Sequence, residues 1–224
     1  MIDKVALRVA LQAERHHVLE ATVRRLLSPL RGDERALDVG CGTGALAYAL
    51  APHVGEVVGV DGSEEYIAAA REGAPPNCTF EVADAEALPF PYGDFDLVGC
   101  IRVLHHVHRP ELVVAELARV MQRGGRILLA DQLGDVDPLR SLERDRFERA
   151  RDTSHTRLLP DADIRGFFEA NDLVVSANEI VREHRDMSRY LDLAGLEGEE
   201  RERLERMAPA SSEIEVGWYV AHKA

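Results

Sequence analysis

Ala36-Leu-Asp-Val-Gly-Cys-Gly-Thr-Gly-Ala-Leu46 decides the fold. A short apolar segment runs into Asp38, then into glycines at the alternate positions 40, 42 and 44, then into an apolar helical pattern. That order describes a buried strand over Arg35–Val39, a tight turn and the start of a helix. Gly40, Gly42 and Gly44 let the backbone turn sharply and come close to a ligand, because no Cβ stands in the way. The helix that follows presents unpaired N–H groups, which favour a polar or negatively charged ligand. Cys41 lies inside the loop, where a small filler side chain suits the space.

Two further strand ends carry carboxylates. Glu56-Val-Val-Gly-Val-Asp61-Gly62-Ser63 is an apolar run that stops at an acid. In nucleotide-binding α/β units, a carboxylate at the tip of the second strand accepts hydrogen bonds from ribose hydroxyls. Thr79-Phe-Glu-Val-Ala-Asp84-Ala85 is another strand tip, with Asp84 placed where an adenine amino group could find an acceptor. A fourth apolar run, Asp94-Phe-Asp-Leu-Val-Gly-Cys-Ile101-Arg-Val-Leu-His105-His106-Val, ends in paired histidines.

Taken together these segments resemble the class I S-adenosylmethionine-dependent methyltransferases. The resemblance is closest to the broad type 11 group, which includes ubiquinone and menaquinone biosynthesis C-methyltransferases, and it is strong over Arg35 to Asp131. It implies a Rossmann-like seven-stranded α/β sheet, mostly parallel with the last strand antiparallel, flanked by helices and topped by a small helical lid. It also implies S-adenosyl-L-methionine as cofactor. Asp38, Gly40 and Gly42, with Cys41 and Gly44 in the same loop, would surround the methionine moiety. Asp61 and Gly62 would hold the ribose, Asp84 and the Ala85 N–H the adenine, and Ile101 would offer its backbone to the methionine amino group.

The loop Gly40-Cys-Gly-Thr-Gly-Ala45 also satisfies the dinucleotide fingerprint, and Asp61 would suit an NAD ribose. An NAD-linked oxidoreductase is therefore the alternative, with a catalytically silent interaction module as another. Asp38 argues against NAD. A carboxylate before the first glycine suits a ligand end bearing an ammonium group and gains little beside a pyrophosphate.

The 224 residues suffice for one domain with a full core. A formal net charge of −13 opposes unaided binding to nucleic acid or anionic membranes. No apolar run reaches transmembrane length and the N-terminus lacks a signal-peptide pattern, so the expectation is a cytoplasmic protein without membrane insertion. Cys41, Cys78 and Cys100 lack metal-ligand spacing and read as reduced core thiols. The expected partner is a small-molecule methyl acceptor, quinone-like or aromatic and methylated at carbon or oxygen; a homodimer is a further expectation.

Strands are expected at Arg35–Val39, Glu56–Val60, Thr79–Val82, Phe95–Cys100, Arg126–Ala130, Leu173–Val181 and Ile214–His222. Ser63 should cap one helix, and Pro110 should open another that Gly124 closes. A further helix should begin at Pro160 with Ile164, Phe167 and Phe168 inward. One domain over 1–224 would comprise an N-terminal helical segment (1–30), a cofactor-binding half (31–134), and the rest of the sheet (156–184 and 211–224). Helical lid inserts are expected at 135–155 and 185–210. In the first, Pro138–Arg151 should bury Leu139, Leu142, Phe147 and Ala150. In the second, the Glu199–Arg206 charge run should be a solvated face stitched by i,i+4 pairs.

Methyl transfer needs alignment above all, and a general base only where the methyl acceptor must lose a proton. His105, just past the fourth strand, is the candidate base. Asp131, at the tip of the fifth, could steer a hydroxyl. His155, in the polar run Arg151-Asp-Thr-Ser-His-Thr-Arg157, could meet an anionic or phenolic group. The 105, 106, 108 histidine spacing suits no single-face metal site, and no metal is expected.

Overall fold

The computed structural model describes residues 4–209 and 212–223. Seven strands lie in the order β3-β2-β1-β4-β5-β7-β6. Their ranges are β1 Arg35–Val39, β2 Glu56–Asp61, β3 Cys78–Val82, β4 Phe95–Ile101, β5 Met121–Gln132, β6 Leu173–His184 and β7 Glu213–Lys223. β7 pairs antiparallel with both β5 and β6, and the other pairings are parallel. β7 alone therefore runs against the rest. Every expected strand is present, and β6 runs three residues past Val181 because its edge position lets it extend as a long ribbon along β7.

Register aligns the functional tips. Asp38 lies level with Gly59 on one side and Gly99 on the other, and Ile101 lies level with Ala130. Residues just beyond Val39, Val60, Ile101 and Ala130 therefore emerge along one edge of the sheet, the edge at which open α/β folds bind ligands.

Helices cover both faces because crossover connections between parallel strands place them there. On one face lie α1 (Lys4–Leu27), α2 (Ala45–Leu50) and α3 (Glu64–Glu72), contributing Val23, Leu27, Leu46, Leu50 and Ile67 to the core. On the other lie α4 (Pro110–Val120) and α6 (Asp161–Glu169), which bury Val113, Leu117, Ile164 and Phe168. Each such side chain contributes about 1.5–3 kcal/mol on leaving water. Ser63 caps α3 by accepting from the Tyr66 N–H at 3.3 Å. Leu19, Val23, Leu26 and Leu27 form the inward stripe of α1, which ends before the cis Ser28–Pro29 bond.

The remaining helices are α5 (Pro138–Arg151), α7 (Met187–Asp192) and α8 (Gly198–Met207). They meet around Phe147, Leu191, Ala194 and Leu204, so two segments far apart in sequence share one small core. Arg201 bonds Glu205 at 3.0 Å and Arg206 lies 3.7 Å from Glu202, the i,i+4 stitching expected of the charge run.

Two expectations need correction. Leu139, Leu142 and Ala150 face solvent, and α5 instead buries Asp145, Phe147 and Glu148. The two carboxylates can go inside because each finds charged or N–H partners there, whereas the apolar pattern alone pointed the helix the wrong way. Gly124 does not close α4. That helix ends at Val120, and Gly124 (φ +79°) lies within β5, where the register against β4 jumps from Phe95–Met121 to Leu97–Arg126. Ile164 and Phe168 are fully enclosed and the half-buried Phe167 packs against the same core, as expected of the inward face of α6.

Candidate active site

The loop between β1 and α2 has its three glycines at φ +69°, +53° and +92°. A Cβ at Gly40 would collide with the Val103 side chain, whereas one at Gly42 would meet nothing within 4 Å. Gly40 therefore serves the packing of the loop on the tip of β4, and Gly42 faces open space. The Gly42 N–H donates to Asp61 Oδ2 at 2.8 Å, and the Ser63 N–H donates to Asp61 Oδ1 at 2.9 Å. Asp61 thus ties the glycine loop to the start of α3. Thr43 Oγ1 donates to Gln12 of α1 at 2.6 Å.

Asp38 lies beneath this loop, 2% exposed, and its Oδ2 accepts from the Ala47 N–H at 3.0 Å. Burial pushes its pKa up to about 7, with the nearby Asp61 charge adding to the rise. Asp84 is exposed two residues past β3, its Oδ1 accepting from the Glu86 N–H at 2.9 Å, and Ala85 and Gly62 lie in the same two loops. Cys41 is buried, and its thiol is pushed up by that burial and by Asp38 and Asp61, so it is an unreactive filler. Cys78 and Cys100 are likewise buried and free.

The tips of β4 and β5 hold the second group. After Ile101 the chain passes through Arg102 at φ +58°, a left-handed conformation for a residue with a side chain. The Arg102 N–H donates to the Ala130 carbonyl at 2.7 Å and its guanidinium to Glu183 at 2.7 Å, which hold the strained turn. That turn carries the chain into a short 3-10 segment, Leu104–His106. His105 Nδ1 makes a short hydrogen bond to Asp131 Oδ1, and the His105 N–H reaches Asp131 Oδ2 at 3.3 Å. Burial opposes charge on Asp131, yet the His105 ring and hydrogen bonds hold its pKa below the ordinary value. It stays a carboxylate, which makes Nδ1 the donating nitrogen and leaves Nε2 to accept a proton.

His106 Nδ1 pairs with Ser154 Oγ at 2.9 Å, and burial together with His105 lowers its pKa to about 4. It is neutral near pH 7. His155, 3% exposed, bonds Asp145 Oδ1 through Nε2 at 2.9 Å, and its ring centroid lies 5.7 Å from that of His105. Thr156 N–H and Oγ1 both donate to the His105 carbonyl, at 2.8 and 3.0 Å. The three candidates His105, Asp131 and His155 are thus brought together, although His155 is occupied by α5. Among the described residues no group of three or more histidine, cysteine or acidic side chains could hold a metal ion.

Sequence reasoning missed Arg102, Gln132, Asp145, Glu148, Arg185 and Tyr190. Arg151 and Arg185 lie over the Tyr190 ring at 4.0 and 3.7 Å from its centroid, and both guanidiniums bond Glu148, at 3.1 and 2.8 Å. Only Gln132 left a trace in the sequence, a second polar residue closing an apolar strand.

Residues 37–129 match the family model described as a methyltransferase domain. An uncharacterised methyltransferase of Bacillus subtilis, YcgJ, is 36% identical over 147 residues, 64% of this chain and 58% of that protein. Its crystal structure superposes with a TM-score of 0.81 at 26% identity, over 93% of this chain and 98% of that one. The 27-O-demethylrifamycin SV methyltransferase of Amycolatopsis mediterranei is 39% identical over 145 residues, 59% of this chain and 52% of that protein. The matched sequence thus spans somewhat more than half the length of these curated relatives. A protein of Bacillus halodurans C-125 described as a methyltransferase shares the fold, with a TM-score of 0.83 at 24% identity over 91% of this chain and 98% of that one.

Proposed function

The chain belongs to the class I S-adenosylmethionine-dependent methyltransferases, and on that premise we propose that it transfers a methyl group from S-adenosyl-L-methionine to a small organic acceptor. The observation that carries the reading is the row of strand-tip groups. Asp38 near the end of β1, Asp61 at the end of β2 and Asp84 two residues past β3 stand beside a glycine loop with open space at Gly42 and Gly62. This row of carboxyl acceptors fits a nucleoside bearing an ammonium group. Asp38, Gly40, Cys41, Gly42 and Gly44 would hold the amino-acid end with Ile101, Asp61 and Gly62 the ribose, and Asp84 and Ala85 the adenine. A pyrophosphate, unlike an ammonium group, would gain nothing from the Asp38 carboxyl.

The sulfonium cofactor supplies an activated methyl group, so the protein's part is alignment and proton handling. His105, oriented by Asp131, is the base that takes a proton from an acceptor hydroxyl. His155 and Asp145 back the same loop. The helices at 138–151 and 187–207 act as the lid that excludes water. An oxygen acceptor is supported by the rifamycin relative, whose name specifies an O-demethylated substrate. No helix among the described residues is long and apolar enough to cross a membrane. A cytoplasmic location and a homodimer extend the reading; sedimentation velocity decides the latter.

Calorimetry with S-adenosylhomocysteine and, separately, NAD tests the cofactor. The reading expects binding of the first alone, and NAD binding without the nucleoside would overturn it. Release of S-adenosylhomocysteine on incubating S-adenosylmethionine with phenols, quinols, amines and thiols then tests transfer. Cofactor binding without turnover across the panel would favour a silent module.

A further inference from the structure

β5 ends in two consecutive polar residues on opposite faces of the sheet. Asp131 is engaged by His105. The Gln132 side chain is engaged at one atom only, and the residue is 3% exposed. Its Oε1 accepts from Arg185 Nη2 at 2.6 Å, while its Nε2 is buried and meets no protein acceptor. Arginine only donates, so the amide is locked with its oxygen toward Arg185 and its NH2 turned away. Arg185 is itself fixed, by Glu148 at 2.8 Å and by the Tyr190 ring.

Among the described residues this Nε2 is the one buried side-chain nitrogen or oxygen without a partner. A buried donor left unmade is costly, and natural proteins keep few without reason. This one stands at the strand edge where the candidate site lies. Arg102, at the tip of β4, donates its N–H to the Ala130 carbonyl and its guanidinium to Glu183, two residues before the Arg185 that holds Gln132, so the ends of β4, β5 and β6 meet here. The charges there are already matched. Arg102 bonds Glu183 at 2.7 Å, Arg185 bonds Glu148, and Arg151 bonds Glu148 and lies 3.6 Å from Asp152. Each of these three guanidiniums already has a carboxylate partner, which favours a neutral oxygen.

Resting on the methyltransferase reading, we propose that Gln132 recognises the methyl acceptor, its Nε2 donating to a neutral carbonyl oxygen on that molecule while Arg185 and the lid helices hold the amide in place. Gln132 is thus a specificity-determining residue, and the acceptor class is a carbonyl-bearing small molecule.

The test uses the full chain saturated with S-adenosylhomocysteine and two matched probes, acetylcatechol and ethylcatechol, which differ in one carbonyl oxygen. Calorimetry should show acetylcatechol binding about tenfold more tightly, the worth of one neutral hydrogen bond. Gln132→Leu should erase that preference. Gln132→Glu, which keeps an oxygen for Arg185 but offers no N–H, should erase it too, and both variants should bind S-adenosylhomocysteine as the parent does. Equal binding of the probes, binding of neither, or a preference surviving in a folded Gln132→Glu would overturn the proposal. So would a crystal structure of the ternary complex in which Nε2 bonds only a buried water. Loss of S-adenosylhomocysteine binding in the parent chain would overturn the methyltransferase reading instead.

Discussion

At Asp38 two demands on one carboxyl conflict. Burial favours the neutral acid and moves its pKa up to about 7, while a ligand ammonium would favour the carboxylate. Because the folded chain holds this proton more tightly than the unfolded chain, the Asp38 contribution to stability falls as pH rises from the ordinary value of 3.8 to about 7, then levels off. Ligand affinity runs the other way. S-adenosylhomocysteine should bind more tightly as pH is raised through about 7 and reach a plateau above it, and Asp38→Asn should flatten the profile. Calorimetry across that range checks the sign. His105 gives a second outcome at this scale. With a hydroxyl-bearing methyl acceptor, His105→Gln should lower kcat by about 10²–10⁴-fold and leave S-adenosylhomocysteine affinity unchanged. An undiminished rate would remove His105 from the chemistry.

At the scale of single elements, the glycine loop separates two roles that look alike in sequence. Gly40 and Gly42 share a positive φ, but only at Gly40 would a methyl group strike a neighbour, Val103. Alanine at either position should cost about 1 kcal/mol or more of backbone strain. Gly40→Ala should cost clearly more than Gly42→Ala in urea unfolding, because it adds a steric collision. The helix α5 offers a sharper contrast. Phe147 is 1% exposed and Leu139 is 73% exposed, though both are large apolar residues of one helix. Phe147→Ala should destabilise by about 3–5 kcal/mol, whereas Leu139→Ala should stay within about 0.5 kcal/mol. Comparable losses would mean that α5 is turned as its apolar pattern alone suggests.

For the molecule as a whole, the helices α5, α7 and α8 form a unit joined to the sheet edge through Arg185, Gln132 and the His155 loop. A ligand beneath that unit should couple its closure to binding. S-adenosylhomocysteine at one hundred times its Kd should add about 2.7 kcal/mol of stability. Limited proteolysis should show residues 138–155 and 185–207 protected when it is present. Cleavage that is the same with and without ligand would mean that these helices do not close on the site. The formal charge of −13 belongs to this scale as well, since it disfavours nucleic acid as a partner.

Local pattern specifies the strand–loop–helix unit at 35–50, the seven strands, and the acids Asp38, Asp61, Asp84 and Asp131 at or just past four of their ends. Those features rest on local rules, an apolar run, a turn-permitting glycine and a polar residue where a strand leaves the core. It also placed His105 and Asp131 at one sheet edge, but their hydrogen bond came from the parallel register of β4 and β5. The orientation of α5, the strained turn at Arg102 and the network of Glu148, Tyr190, Arg151 and Arg185 were decided by the tertiary structure alone. A buried carboxylate is tolerable only where a partner distant in the chain meets it, and no local pattern announces that partner.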